Sequence, residues 1–202
     1  MSVRVLSLPP MSELRSFGEP RVHPNGFIQL DLDEANRLHV WHPNLPFRQK
    51  TFHPVHDHVF DFQSHIYSGR LVHVEYHLKH VPPKWNSLHR SHVIHRAECV
   101  GGSETVLRPV ARQEVRIDLV QDSAQSFQAG QSYSFLSYHF HESLANVPTM
   151  TIMTKSGAAL NKGANSEGAS IAVPQGVEPD NDFRRDHDPD ILWTLIEEAY
   201  PS

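Results

Sequence analysis

His56-Asp57-His58 and His139-Phe140-His141 are the two places in this 202-residue chain where residue type and spacing could do chemistry. In a β-strand the side chains at i and i+2 point to the same face. His56 and His58 can therefore aim both imidazoles into one cavity. His141 can bring a third nitrogen from far along the chain. His139 shares its face if the strand is regular, and lies at the rim or behind the ligands if the chain turns just before His141. Imidazoles converging from two separate strand-like segments point to a mononuclear metal site. Three protein ligands leave open positions, which a catalytic metal needs in order to bind substrate and oxygen or water. Fe(II), Mn(II), Ni(II), Cu(II) and Zn(II) all suit such donors.

The first histidine pair runs on through Val59-Phe60-Asp61-Phe62-Gln63-Ser64-His65-Ile66-Tyr67-Ser68 to Gly69. A glycine-bounded strand pair carrying His-x-His, then an acid four or five positions on, then a later glycine, is the first motif of the cupin superfamily. His56, His58 and Gly69 resemble it, while Phe62 and Gln63 stand where the acid is expected. The resemblance implies Gln63 as fourth ligand, with the nearest carboxylate, Asp61, as its rival. Gly130-Gln131-Ser132-Tyr133-Ser134-Phe135, followed by Phe140-His141-Glu142-Ser143, is similar to the second cupin motif without its usual Pro-x-Gly, and implies His141 as a ligand.

Together the motifs cover roughly residues 26–155. They imply an all-β, cupin-type jelly-roll barrel. A more distant similarity to the cysteine-dioxygenase-like cupins, which use histidine-only ligation, implies an Fe(II)-type dioxygenase acting on a small organic substrate. The arginine, tyrosine and late-histidine pattern of the thiol dioxygenases is not placed here, so no thiol is implied. The alternatives are a metal-using isomerase or lyase and a non-catalytic cupin that binds a small molecule. A neutral Gln63 ligand would leave more positive charge on the metal and favour an anionic substrate. Tyr133 and His139 are the candidate catalytic groups, with aromatic packing an equal account of Tyr133.

Strand signals surround these motifs. Phe27–Leu32 and Arg37–His42 alternate, with Asp33-Glu34-Ala35-Asn36 a turn between them. Thr105–Leu107 and Val115–Leu119 read as another pair, and Tyr133–Phe135 and Met150–Thr154 close the set. Many short strands without intervening long helical patterns argue for a sandwich or barrel. In Leu71–Leu78 the residues Val72, Val74, Tyr76 and Leu78 share one face, which sends His73 and His77 to solvent by the alternation rule. His80, His89, His92 and His95 flank Val81-Pro82-Pro83-Lys84-Trp85-Asn86, a turn-rich connection, and read as surface or rim residues. His53, held extended by Pro54, reads as second to the ligands or as surface.

Outside the barrel, residues 1–25 are an N-terminal extension, 156–182 a mobile Gly/Asn/Ala/Ser-rich loop, and 183–202 a C-terminal helix. Asp188 is the expected N-cap with Pro189 as first helical residue. Ile191, Leu192, Leu195, Ile196 and Ala199 form a stripe for the barrel or a neighbouring subunit, so a homodimer is the default expectation.

Composition narrows the field. The net charge is −5 and no basic run exceeds Arg184-Arg185, which argues against nucleic acid. No apolar stretch approaches a membrane span. Cys99 is the only cysteine, so no intrachain disulfide can form, and a cytoplasmic protein with a small-molecule partner is the expectation. No Gly-x-Ser-x-Gly elbow or phosphate loop is present.

Overall fold

Antiparallel strands dominate the computed structural model, which describes residues 6–23, 25–45, 55–80, 92–100, 104–109, 117–156, 170–174 and 187–201. In chain order these are helix α1 (Met11–Leu14), β1 (Arg21–His23), β2 (Phe27–Asp31), β3 (Asn36–Trp41), β4 (Asp61–Ser68), β5 (Arg70–His80), β6 (His92–Val100), β7 (Glu104–Pro109), β8 (Ile117–Gln128), β9 (Ser132–Phe135), β10 (Phe140–Leu144), β11 (Thr149–Ser156), β12 (Ser170–Pro174) and helix α2 (Pro189–Ala199). One sheet has the order β1-β2-β3-β11-β4-β9. The other has the order β10-β5-β8-β6-β12, with β7 added on β6.

Local chemistry fixes the turns. The Asp33 carboxylate accepts the backbone N–H groups of Ala35 and Asn36, each at 2.8 Å, and so closes the β2–β3 turn. Gly69, between β4 and β5, has φ +75°, and a Cβ there would lie 2.3 Å from the Pro148 carbonyl oxygen. Only glycine fits. Asp188 caps α2 by accepting the Asp190 N–H at 3.0 Å, with proline at the start of the helix.

Period-2 alternation gives the first sheet two unlike faces. Ile28, Leu30, Leu38, Val40, Met150 and Ile152 point one way and pack with Leu192, Leu195, Ile196 and Ala199 of α2. A fully buried Leu or Ile of this kind contributes about 1.5–3 kcal/mol, so this face holds the main apolar core. The stripe of α2 is thus covered within the chain. The residues between them, including Gln29, His39 and Thr151, point the other way, toward the second sheet.

Several strands differ from expectation. β7 pairs with β6, and β8 runs along β5, so the two do not form a hairpin with each other. β8 extends through Gln121–Gln128, a polar stretch with no strand signature whose ladder partner is β5. His92 and His95 lie in β6 rather than a turn-rich connection, and His95 is buried. Ser170–Pro174, inside the expected mobile loop, is a strand paired with β6, with Ala172 and Val173 buried. Its five residues are too short to stand out in a Gly- and Asn-rich context. His73 is 2% exposed, against the expected solvent position. Alternation ranks one face of β5 against the other, but Leu71, His73 and Val74 are all buried, so this strand is covered on both sides. Residues 157–169 and 175–182 of the expected loop, together with His53 and His89, lie outside the described residues.

Candidate metal centre

The His56–His58 segment is set in place by its backbone. His56 donates its N–H to the His141 carbonyl at 3.0 Å and accepts the His141 N–H at 2.8 Å. It also forms an antiparallel bridge to Ile171 of β12, so one residue links the edge strands β10 and β12 of the second sheet. Asp57, between the two histidines, points away from them. Its N–H donates to the Ser170 carbonyl at 2.9 Å, and its buried carboxylate accepts the Ser170 N–H. The His58 carbonyl accepts the N–H of Tyr138 at 2.7 Å. Tyr138 has φ +62°, and this turn delivers the chain into β10.

Fixed in this way, the three imidazoles converge. One ring nitrogen from each of His56, His58 and His141 lies within 4.8 Å of the other two, and no other such cluster of His, Cys, Asp or Glu occurs among the described residues. Ring centroids are 4.4 Å apart for His56–His141, 4.8 Å for His56–His58 and 5.1 Å for His58–His141. Nitrogens bound at about 2.1 Å to one ion stand within about 4 Å of each other, so small ring movements would close the set onto a metal. Burial holds the His58 and His141 imidazoles well below their ordinary pKa, and the neighbouring His56 pushes in the same direction. Neutral imidazole is the form that binds a metal. The His141 Nδ1 lies 3.3 Å from the His139 carbonyl, which leaves Nε2 to face the cluster when Nδ1 carries the proton.

The remaining sequence candidates lie elsewhere. Gln63 is on the α2-side face of β4 and lines a small hollow with Leu6, His65, Tyr67, Ile152 and Thr154. Its neighbours Phe62 and Ser64 take the cavity side. Position parity within β4 decides this. Spacing from His58 suggested reach, but His58 lies before β4 begins, so the strand does not carry its direction through to Gln63. The Asp61 carboxylate accepts the Ser137 N–H at 2.8 Å and ties down the turn after β9. The His139 side chain is exposed, since the turn at Tyr138 directs it outward. Tyr133 does line the cavity, with its hydroxyl hydrogen-bonded to Ser64 and Ser143 and its pKa raised by burial.

The cavity is also lined by residues that sequence reading missed. His23, Gln29, Arg37 and His39 reach it from β1, β2 and β3. Burial holds His39 neutral, with its pKa lowered to about 3, and lowers His23 well below its ordinary value. His73 lies behind His141, with ring centroids 5.0 Å apart, and also touches Tyr133 and Phe135. The available signal for His39 was alternation itself, since Leu38 and Val40 define the apolar face and place His39 opposite it.

The chain matches no family model and no curated protein. Among solved structures it is similar to hydroquinone 1,2-dioxygenase PnpCD in complex with Cd2+ and 4-hydroxybenzonitrile, at 8% identity and TM-score 0.33 over 79% of this chain and 83% of that one. It is also similar to hydroquinone 1,2-dioxygenase from Sphingomonas sp. TTNP3 with 4-hydroxybenzoate bound, at 11% identity and TM-score 0.31 over 78% and 83%. Neither likeness is near enough to carry chemistry across, so function has to be read from this chain's own residues. No helix among the described residues is long and apolar enough to cross a membrane.

Proposed function

We propose that this chain is a metal-dependent oxidoreductase of cupin type, in which His56, His58 and His141 hold a divalent metal and the adjoining cavity receives a small organic substrate. The observation that carries the reading is the convergence of three imidazoles from two separately anchored segments at the wall of a cavity. Three ligands of this kind leave coordination positions open. A bound Fe(II), the favoured ion over Mn, Ni, Cu or Zn, would supply oxygen activation next to the substrate.

The chain's own residues do the rest. With Gln63 and Asp61 turned away, the ligand set is entirely imidazole and neutral, so an anionic donor on the substrate is favoured at the metal end. Phe62 and Phe135 pack on His141, with ring centroids at 5.7 and 4.4 Å. They fix its ring and exclude water from one side. Tyr133, kept protonated by burial, is placed to donate a hydrogen bond into the cavity. The cupin-type barrel belongs to the same proposal, supported by the link that His56 makes between β10 and β12.

Elemental analysis of the purified protein tests the metal. Wild type should hold about one equivalent, and His56→Ala and His141→Ala should each lose most of it, as removing one of three ligands predicts. Unchanged content in both variants would overturn the site. Oxygen-electrode assays of iron-reconstituted protein against small acids and phenols test turnover. Substrate-dependent uptake that vanishes in His56→Ala supports the oxidoreductase. Ligand binding without uptake under any metal would move the assignment to a non-catalytic binding protein.

A further inference from the structure

Opposite α2, the first sheet carries polar atoms with no hydrogen-bond partner among the described residues. Gln29 pairs with His39 between β2 and β3, and His39 pairs with Thr151 between β3 and β11. Directly paired residues put their side chains on the same face, so the three stand in one row across three strands. Gln29 Oε1, His39 Nε2 and Thr151 Oγ1 are all buried without a hydrogen-bond partner, in residues 1%, 8% and 0% exposed. Trp41 Nε1, two residues along β3 from His39, is in the same condition. The Gln29 amide is oriented by its Nε2, which donates to Asp31 Oδ1 at 2.8 Å, so its oxygen is the free end.

Native interiors leave few buried polar groups unmet, because each loses its hydration without compensation. Four on one sheet face, three of them in residues that line the cavity, form a surface suited to a polar group that arrives from outside. We infer that this row is a recognition subsite for a hydroxyl group on a flat ring.

The donor and acceptor types choose the group. Gln29 Oε1 only accepts, so the incoming group must donate to it. A hydroxyl does. A carboxylate would set its lone pairs against the Gln29 oxygen, and the Arg37 guanidinium is already paired with Asp31 at 3.2 Å. The ring is indicated by the walls. Phe27 packs on Trp41 with centroids 5.0 Å apart, and Phe62 and Tyr133 line the same space. The inference deepens the proposed function by naming a group its substrate carries. The subsite itself is built from atoms that hold no metal, so it is tested on metal-free protein, where failure of the metal reading cannot affect the result.

Metal-free protein titrated calorimetrically with phenol should bind it saturably, about tenfold more tightly than anisole, as expected for one buried hydrogen bond of roughly 1.4 kcal/mol. Gln29→Leu should weaken phenol several-fold and leave anisole unchanged. Thr151→Val, at a position in the row that does not line the cavity, should raise the thermal midpoint of ligand-free protein, because an isosteric methyl replaces an unsatisfied hydroxyl. Equal affinity for phenol and anisole, or no saturable phenol binding, would overturn the subsite. So would tighter binding of benzoate than of phenol. A lowered midpoint in Thr151→Val would mean that internal water already satisfies the row, and would overturn it as well.

Discussion

Two walls of one cavity are built on opposite principles. At the histidine wall the backbone does the fastening. The His56–His58 segment is held by main-chain hydrogen bonds to β10, β12 and the turn at Tyr138, and its imidazoles converge with that of His141. At the sheet wall the backbone is an ordinary antiparallel ladder, and the side chains of Gln29, His39 and Thr151 are the unmet groups. On the proposed function the first wall holds an ion that needs fixed directions. The second is an otherwise regular sheet with polar residues in core positions, which costs stability unless something binds there. The difference separates positioning, which the backbone supplies, from recognition, which register supplies.

The sharpest way to break the histidine wall without touching a ligand is Asp57→Ala. The Asp57 carboxylate is buried and accepts the Ser170 N–H. Removing it leaves that donor unmet and loosens β12 on the His-x-His segment, where the Asp57 N–H bond to the Ser170 carbonyl and the His56–Ile171 bridge remain. Hydrogen bonds to charged groups contribute about 1.5–3 kcal/mol, so urea unfolding should show a loss of about 2–3 kcal/mol. Metal affinity should fall as well, although every ligand remains. A variant as stable as wild type would show that the main-chain bonds hold the segment without the carboxylate.

The same contrast explains what the sequence revealed. His-x-His is a local signal, readable from parity within three residues, and His56, His58 and His141 were found from it. The apolar stripe of α2 and its Asp188-Pro189 start were equally local, as was the Asp33 turn. The sheet wall depends on Gln29, His39 and Thr151 falling into register, and register between strands so far apart is not written in any one of them. Gln63 misled because its spacing from His58 was measured across the start of β4, where direction is reset. His73 misled because a strand covered on both faces defeats the rule that the more apolar face is the inner one.

Acid offers a test of the sheet wall. His39 is held neutral down to about pH 3, whereas in the unfolded chain a histidine titrates near 6.5. Because the folded pKa is the lower one, the unfolded state takes up the proton first as pH falls. Stability is therefore full above about 6.5 and declines through the window from there to about 3, by up to about 1.4 kcal/mol per pH unit for this one group. His39→Phe removes that share. Denaturation curves at neutral pH and near pH 5 should show wild type losing about 2 kcal/mol more than the variant between the two. Parallel losses would mean that His39 is solvated when protonated, and that the sheet wall is less dry than the histidine wall.

The smallest effect is expected at Gln63, and it sharpens the comparison by showing where the site ends. Gln63 lies on the α2 side of β4, beside Leu6, His65, Tyr67 and Thr154, while Phe62 and Ser64 on either side of it face the cavity. Reaching the imidazoles from there would require its side chain to pass through the sheet. Gln63→Ala should therefore leave metal content at the wild-type level and change stability by no more than about 0.5 kcal/mol, as for a substitution away from any buried network. Elemental analysis beside His56→Ala gives the scale. A loss of metal comparable to that in His56→Ala would place Gln63 among the ligands, and would mean that the β4 register seen here shifts by one residue when the ion binds.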